Sequence, residues 1–523
     1  MMSERRGILK AAGVLGSATI LSRIMGMVRD MVTSRLFGAG LATDAFFAAF
    51  QIPNMLRRFF AEGALTAAFV PTFSETLVQE GEERARELAN LCFTLLFIVT
   101  ALVTLLGIWL SPAIISLMFP GFVAIPGKFE LTVLLNRVMF PYLFFISLVA
   151  LCMGVLNTLR HFFTPAISTV FLNISMIVCA LVLRPFYQYP ITALAIGVLA
   201  GGLIQLMLQL PVLWRKGFPI RPQFAFGDKK LRKIALLMLP ATLGVGIYYL
   251  NITVGNILAS LLPQGSVSYL YYAQRLFEFP QGVFTVSVAQ AVLPAMSRQA
   301  AAGDLAAMKD SLNYGARLTL FVTIPALVGL AVCAVPLMVV LFMGGQFDYG
   351  MALQSGRALI CYATGLTCVA LVRVLAPAFY AVQDTRTPVL TAFIAFVLNL
   401  LFSLALMGPL AHSGLALASS LSAAINMLLL FWLLRRKIGL LGGRRLVQTA
   451  LISSVAALPA GGAAWWVVGL VDWSQADGRL LKTAVLSGAV LAAVLVYLAV
   501  CLALRSAELA DMWAMLRRRM QGG

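Results

Sequence analysis

Two stretches of this chain place guanidinium groups and carboxylates inside helix-length apolar sequence. Near the N-terminus, SRIMGMVRDMVTSRLFGAG carries Arg23, Arg29 and Asp30, and TDAFFAAFQIPNMLRRFFAEGA carries Asp44, Arg57, Arg58 and Glu62. Halfway along, YYAQRLFEFPQG carries Arg275 and Glu278. A charge at bilayer depth costs about 2.5–3.5 kcal/mol even on the lenient insertion scale, so such residues face one another or a wet cavity. Guanidinium is a planar fork of donors, the shape that grips a phosphate or carboxylate through two bonds at once. The chemistry expected is therefore recognition of a large anion, with the acids holding the arginines in place while no anion is bound. The competing reading is that these residues are ion pairs pinning helices together.

Local spacing refines this picture. Arg23 and Asp30 are seven apart and share a helix face, whereas Arg29 lies off it. Gly26 offers a bend that brings both arginines inward. Pro53 precedes Arg57 and Arg58 and predicts a kink or break. Arg58 and Glu62 are spaced to pair along a helix, as are Arg275 and Glu278. Pro280 follows the latter pair, and irregular backbone at membrane depth is tolerated where it lines a cavity. Arg137 and Arg373 lie near helix ends and snorkel more readily.

The elements that must position these groups are membrane helices. The chain is 61% hydrophobic and 11% charged over 523 residues, with a mean hydropathy of +0.93. Soluble domains carry about 25% charged residues. At about 20 apolar residues per crossing, fourteen segments qualify: 8–36, 43–70, 88–116, 130–158, 163–184, 190–214, 235–262, 266–296, 315–343, 354–381, 387–408, 413–434, 446–470 and 480–504. The fold class expected is an all-α polytopic membrane protein.

Basic residues set its orientation. The net charge of +19 is concentrated in connections on one side, notably Arg215, Lys216, Arg221, Lys229, Lys230, Arg232 and Lys233. The opposite side holds only Arg35, Lys128, Arg184, Arg357, Arg479 and Lys482. The positive-inside rule puts both termini in the cytoplasm, and Arg517, Arg518 and Arg519 on anionic lipid. The same distribution leaves no basic domain to bind nucleic acid.

An internal repeat organises the chain. Ala18-Thr19 matches Ala241-Thr242, Gln51 matches Gln274, Pro71 matches Pro294, and Thr164-Pro165 matches Thr387-Pro388, each 223 residues apart. Ile204-Gln205 then matches Ile425-Asn426, and Arg215-Lys216 matches Arg436-Lys437, at 221. The domains expected are a six-helix lobe over 1–214, a cytoplasmic linker over 215–234 that is either solvated or laid on the membrane, and a second six-helix lobe over 235–437. Two extra helices and a basic tail fill 438–523. Parallel repeats of this kind suit alternating access, one lobe rocking against the other around a central site.

Enzymatic machinery is not visible. The stretch GFVAIPGK (121–128) lacks P-loop spacing, and Phe129 stands where a Ser or Thr is needed. Seven cysteines, all in apolar segments, and the distant pair His161 and His412 offer neither a disulfide framework nor a metal site. No cofactor is expected, and energy must come from an ion gradient, the membrane potential or the substrate's own gradient. Asp384, in QDTRTP, reads as a helix-start residue.

The blocks SRIMGMVRD, FGAGLATDAFFAAFQIPNMLRRFFAEGALTAAFVPTFSE, YYAQRLFEFPQGVF and LAPAFYAVQDTRTPV resemble the MurJ (MviN) lipid II flippases of the multidrug/oligosaccharidyl-lipid/polysaccharide (MOP) exporter superfamily. The resemblance extends over essentially the whole chain, including the two added helices. It implies transport of lipid II, an undecaprenyl diphosphate bearing a disaccharide-pentapeptide, from the inner to the outer leaflet of the bacterial inner membrane. It places substrate-binding charges on Arg23, Arg29, Asp30, Asp44, Arg57, Arg58, Arg275 and Glu278, and a lipid-tail groove on the two C-terminal helices. Membrane lipids and other cell-wall synthesis proteins are the further partners implied. Some relatives hold sodium on helices 7, 11 and 12, where helix 7 here offers Asn251 and Asn256 rather than an acid. The alternatives are a flippase for another polyprenyl-diphosphate glycan such as O-antigen, a drug exporter, whose cationic cargo the arginines would repel, a membrane glycosyltransferase, and a scaffold.

Overall fold

The computed structural model describes residues 2–58, 65–475 and 478–521, so Glu62 and its expected pairing with Arg58 lie outside the described residues. The chain divides into two compact units, Met1–Gly265 and Ser266–Gly523. The first holds α1 (Met2–Phe37), α2 (Leu41–Arg57), α3 (Leu65–Gln79), α4 (Gly81–Trp109), α5 (Ser111–Met118), α6 (Pro120–Val123), α7 (Lys128–Met139), α8 (Pro141–Thr158), α9 (Phe163–Leu183), α10 (Thr192–Arg215) and α11 (Lys229–Ser260). The second holds α12 (Ser266–Pro280), a π-helical turn over Gln281–Thr285, α13 (Val286–Ala301), α14 (Leu305–Val332), α15 (Ala334–Phe342), α16 (Tyr349–Thr364), α17 (Leu366–Ala381), α18 (Arg386–Ile438), α19 (Gly443–Val468), α20 (Arg479–Ala503) and α21 (Ala507–Gln521).

Over the described residues, each of the fourteen expected segments falls mainly on helix. Among the described residues, eight helices are long and apolar enough to cross a membrane, and the pair α16–α17, bent by 42°, makes nine. Helix α18 counts once in that tally, yet its 53 residues at 1.5 Å each would run about 80 Å, far beyond a hydrocarbon core of about 30 Å. Ala411, with φ 47° and ψ −130°, breaks it into two legs. The segments left outside the tally include those that carry the charges, α1, α2 and α12.

In the first unit, α10 lies against α9 at backbone distance. A Cβ on Gly197 would sit 2.7 Å from the Met176 Cα, and one on Gly201 2.6 Å from the Leu172 side chain. Small residues at such a crossing let dispersion contacts replace the hydrophobic drive that lipid cannot supply. In the second unit, Met296, Met308, Leu312, Val374, Phe379, Leu430 and Leu434 form one core joining α13, α14, α17 and α18. Phe321, Ala456, Ala460, Tyr497 and Cys501 form another that holds α19 and α20 on α14.

The segment after α10 is not a free tether. The Asn90 Oδ1 accepts from the Arg221 backbone N–H at 3.1 Å, and the Thr94 hydroxyl accepts from the Gln223 N–H at 2.9 Å. Asp228 caps α11 by accepting from the N–H groups of Lys230 and Leu231 at 2.9 and 3.0 Å. Arg84 joins Asp228 to Glu87, and Lys230 reaches Thr76 and Glu80. Burial alone would raise the Asp228 carboxyl, but hydrogen bonds from Leu231 and Arg84 hold it below its ordinary value. Helix α11 packs on α3, α4, α5 and α6. The repeat counts α11 as the opening helix of the second lobe, whereas its packing puts it in the first compact unit.

Candidate functional site

The charged residues singled out by sequence occupy three positions in the first unit and one in the second. On α1, Arg23 is exposed while Arg29 and Asp30 are buried. Arg29 donates through Nε and Nη2 to the Asp30 Oδ1 at 3.0 and 2.7 Å, and its Nη1 lies 3.8 Å from the Met176 Sδ on α9. The helix runs unbroken through Gly26, whose Cβ position is 4.0 Å from the Asn173 Oδ1. No bend is needed to bring Arg29 inward, because its long side chain folds back along α1 onto the adjacent carboxylate.

On α2, Asp44 is buried and accepts at one oxygen, Oδ2, from two donors. The Lys128 ammonium, at the start of α7, lies 2.8 Å away, and the Gly265 backbone N–H also lies 2.8 Å away. The Lys128 Nζ stands 4.1 Å from the Phe122 ring centroid, so one face of the cation is covered by aromatic carbon. Helix α2 continues through Pro53 and ends at Arg57. Arg57 donates through Nε to the Asn54 Oδ1 at 3.1 Å, and the buried Nε of Arg58 has no hydrogen-bond partner among the described residues.

In the second unit, Arg275 and Glu278 occupy one face of α12, three residues apart, as spacing predicts. The Arg275 Nη1 is 3.9 Å from the Glu278 Oε2, and its Nη2 donates to the Tyr271 hydroxyl at 3.3 Å. The guanidinium carbon is 5.4 Å from the Tyr271 ring centroid. Gln274 donates to the other Glu278 oxygen at 3.0 Å. The Arg275 and Glu278 side chains remain 38% and 50% exposed. After Pro280 the helix widens into the π turn, where the Gln281 Nε2 and Thr285 Oγ1 are buried without partners among the described residues. Such turns interrupt the regular ladder and recur at functional sites.

Sequence reasoning counted Lys128 only among the few basic residues of the outer side. The structure buries it to 1% exposure against Asp44. One signal was present: a lysine at the first residue of a helix opposes the helix dipole, so an anion had to lie nearby. Asp384 behaves as read. Its carboxylate accepts from the Thr387 N–H at 3.0 Å and from Lys437 at 2.5 Å, and these bonds lower its pKa to about 2. Arg137 is exposed and reaches the Ile108 carbonyl at 3.3 Å, and Arg373 is exposed.

Residues 33–486 match the family model described as "Lipid II flippase MurJ". A protein of Vibrio cholerae serotype O1 named "Probable lipid II flippase MurJ" is 40% identical over 431 residues, covering 81% of this chain and 82% of its own. This chain belongs to the MurJ lipid II flippase family. The matched stretch holds Asp44, Arg57, Arg58, Arg275 and Glu278, while Arg23, Arg29 and Asp30 precede it. A solved structure titled "Lipid II flippase MurJ, inward closed conformation" superimposes with a TM-score of 0.77 at 26% identity, over 93% of this chain and 97% of that one. An inward-facing multidrug resistance MATE transporter of the MOP superfamily gives a TM-score of 0.67 over 82% of this chain and 98% of that one, at 14% identity, a likeness of fold. Membership therefore makes the chain a bacterial membrane transporter with an all-helical MOP fold.

Proposed function

We propose that this chain flips lipid II from the inner to the outer leaflet of the bacterial inner membrane by alternating access. The observation that carries this reading is the family match over residues 33–486. In this reading the chain crosses the membrane fourteen times with both termini in the cytoplasm and catalyses no covalent step. Two six-helix repeats over 1–214 and 235–437 do the rocking, the 215–234 segment links them, and 438–523 supplies the groove for the lipid tail.

The physical task is to carry a diphosphate past hydrocarbon. Arginines replace its hydration shell with charge-assisted hydrogen bonds, and the polyprenyl tail stays in lipid throughout. The eight charged residues divide the work according to exposure. Arg23, Arg275 and Glu278 are exposed, Arg275 in part, and meet the headgroup directly, and Arg57 and Arg58 add two further guanidinium groups. Arg29 arrives already neutralised by Asp30, so engaging the diphosphate requires an exchange of partners. Such an exchange holds affinity down and lets the substrate leave on the far side. Asp44 acts through the backbone it holds.

Depletion of the protein in cells tests this reading. Lipid II should accumulate in the inner leaflet, protected from an externally added enzyme that cleaves its headgroup. External cleavage at the normal level after depletion would remove the proposal.

A further inference from the structure

The Lys128–Asp44 pair joins two helix starts. Lys128 opens α7 just after Gly127, whose φ of 76° turns the chain, and Gly265 is the residue before α12. A cation at the first residue of α7 is disfavoured by that helix's dipole, and a carboxylate beside the start of α12 is favoured by its own. The Asp44 carboxylate resolves both at a single oxygen, 2.8 Å from each donor. Asp44 and Lys128 are each 1% exposed, so this charge pair stands out of water.

A second contact fastens the same connection at its other end. The Gly121 N–H donates to the Ser260 hydroxyl at 3.2 Å. A Cβ on Gly121 would lie 2.1 Å from the Ser260 carbonyl oxygen, so glycine alone lets α6 approach the end of α11 this closely. Residues 261–265, which lead from α11 into the helix bearing Arg275 and Glu278, are thus clamped at both ends to elements of the first unit.

We propose that Lys128 and Asp44 form a latch on this connection, and that the latch must open in each transport cycle for α12 to move. The requirement for opening rests on the flipping reading above; the clamp itself does not. Lys128 is a positioning residue here. It holds the Asp44 carboxylate in place, aimed at the Gly265 N–H, and so fixes where α12 begins. In the topology proposed above the latch lies at the external surface, because α1 crosses once before the short turn into α2. A buried pair is well suited to such a role, since it is stable while closed and each charge regains hydration when it opens.

Two measurements test it. Hydrogen exchange of the purified full-length protein reads the clamp without substrate. Lys128→Met should speed exchange across 261–268 at least tenfold while α8, α9 and α10 keep wild-type protection. Asp44→Asn combined with Lys128→Met removes both buried charges but keeps an amide oxygen for the Gly265 N–H, and should recover part of the protection. Unchanged exchange at 261–268 in Lys128→Met, or loosening spread through the whole first unit, overturns the latch. The second measurement reads the requirement for opening. Gly40, whose backbone is extended, has its Cβ position 3.5 Å from the Gln264 amide. Gly40→Cys with Gln264→Cys, bridged by a short reducible thiosulfonate linker, should stop flipping until reductant is added. Flipping at the unbridged rate while bridged shows that the latch need not open. Absence of lipid II flipping in the unbridged wild type would remove the functional reading instead, and the exchange data would still judge the clamp.

Discussion

Replacing Arg275 by Lys separates a substrate contact from a structural one. The guanidinium side chain is 38% exposed, and the Glu278 carboxylate oxygen lies 3.9 Å from it. A half-exposed pair at that distance contributes about 0–1 kcal/mol to stability. Lysine keeps the positive charge, so the fold should lose a few tenths of a kcal/mol at most. The fork is what disappears. Hydrogen bonds to charged groups are worth about 1.5–3 kcal/mol each, and losing one of two to a diphosphate costs roughly 10- to 150-fold, at tenfold per 1.4 kcal/mol. Arg29 gives the contrasting case. It is buried, donates to Asp30 twice at 2.7 and 3.0 Å, and removing one partner of a buried pair costs about 3–5 kcal/mol. Arg29→Ala should therefore lower the amount of folded protein, whereas Arg275→Lys should fold and melt like the wild type and flip lipid II at a few per cent of its rate. The assay is lipid II accessibility to an external enzyme, normalised to folded protein measured by size exclusion in detergent. Wild-type flipping by well-folded Arg275→Lys would refute the fork argument. A large loss of stability in Arg275→Lys would refute the claim that its fold contacts are weak.

The C-terminal helix α21 should detach when Glu508 is removed. This 5% exposed carboxylate accepts from Arg317 at 3.1 Å, Thr449 at 2.7 Å and Ser506 at 2.8 Å, so Glu508→Ala breaks a buried pair worth about 3–5 kcal/mol to docking. Limited proteolysis between α20 and α21 should accelerate sharply while the melting midpoint of the rest holds. The turn at Asp384 should loosen in acid. Its carboxyl is lowered from 3.8 to about 2 by the bonds from Lys437 and Thr387, so its contribution is complete above pH 3.8 and lost as pH falls through 2. Solvent screening at the 42% exposed Lys437 side chain limits the effect to about 1 kcal/mol. Asp384→Asn should remove the acid-dependent part of cysteine accessibility at residue 385.

How much of this was legible in the sequence differs from residue to residue. The helices were legible because apolar runs of membrane length need no tertiary context, and over the described residues the expected segments fall mainly on helix. The Arg275–Glu278 pairing was legible because residues three apart on a helix are neighbours. That the acids would hold arginines was legible, but that Asp30 would hold its own neighbour Arg29 was not, since adjacent residues do not face each other on a helix. Only burial against Met176 of α9 makes the long guanidinium fold back onto its neighbour. Asn90 and Thr94 sit four apart on one face of α4, but nothing local says that they receive the backbone of Arg221 and Gln223, 131 and 129 residues away. The place of α11 was hidden for the same reason. A repeat records ancestry of sequence, while the unit a helix joins is decided by which caps and straps hold its ends.

The charges of the first unit therefore do not form one reservoir of spare positive potential. Asp30 and Asp44, the two acids that sequence assigned to the substrate alongside the arginines, are occupied by Arg29 and by Lys128 with Gly265. An anion arriving at Arg29 meets a guanidinium whose field is already half cancelled, whereas one arriving at Arg23 or Arg275 meets exposed cations. If binding began at the neutralised arginine, the cost of parting it from Asp30 would come before any gain. Begun at Arg23, an exposed cation on the same helix as Arg29, binding brings the diphosphate to α1, where its own negative charge competes with Asp30 for Arg29. In the proposed flipping reading, the exposed arginine of α1 captures and the paired one exchanges.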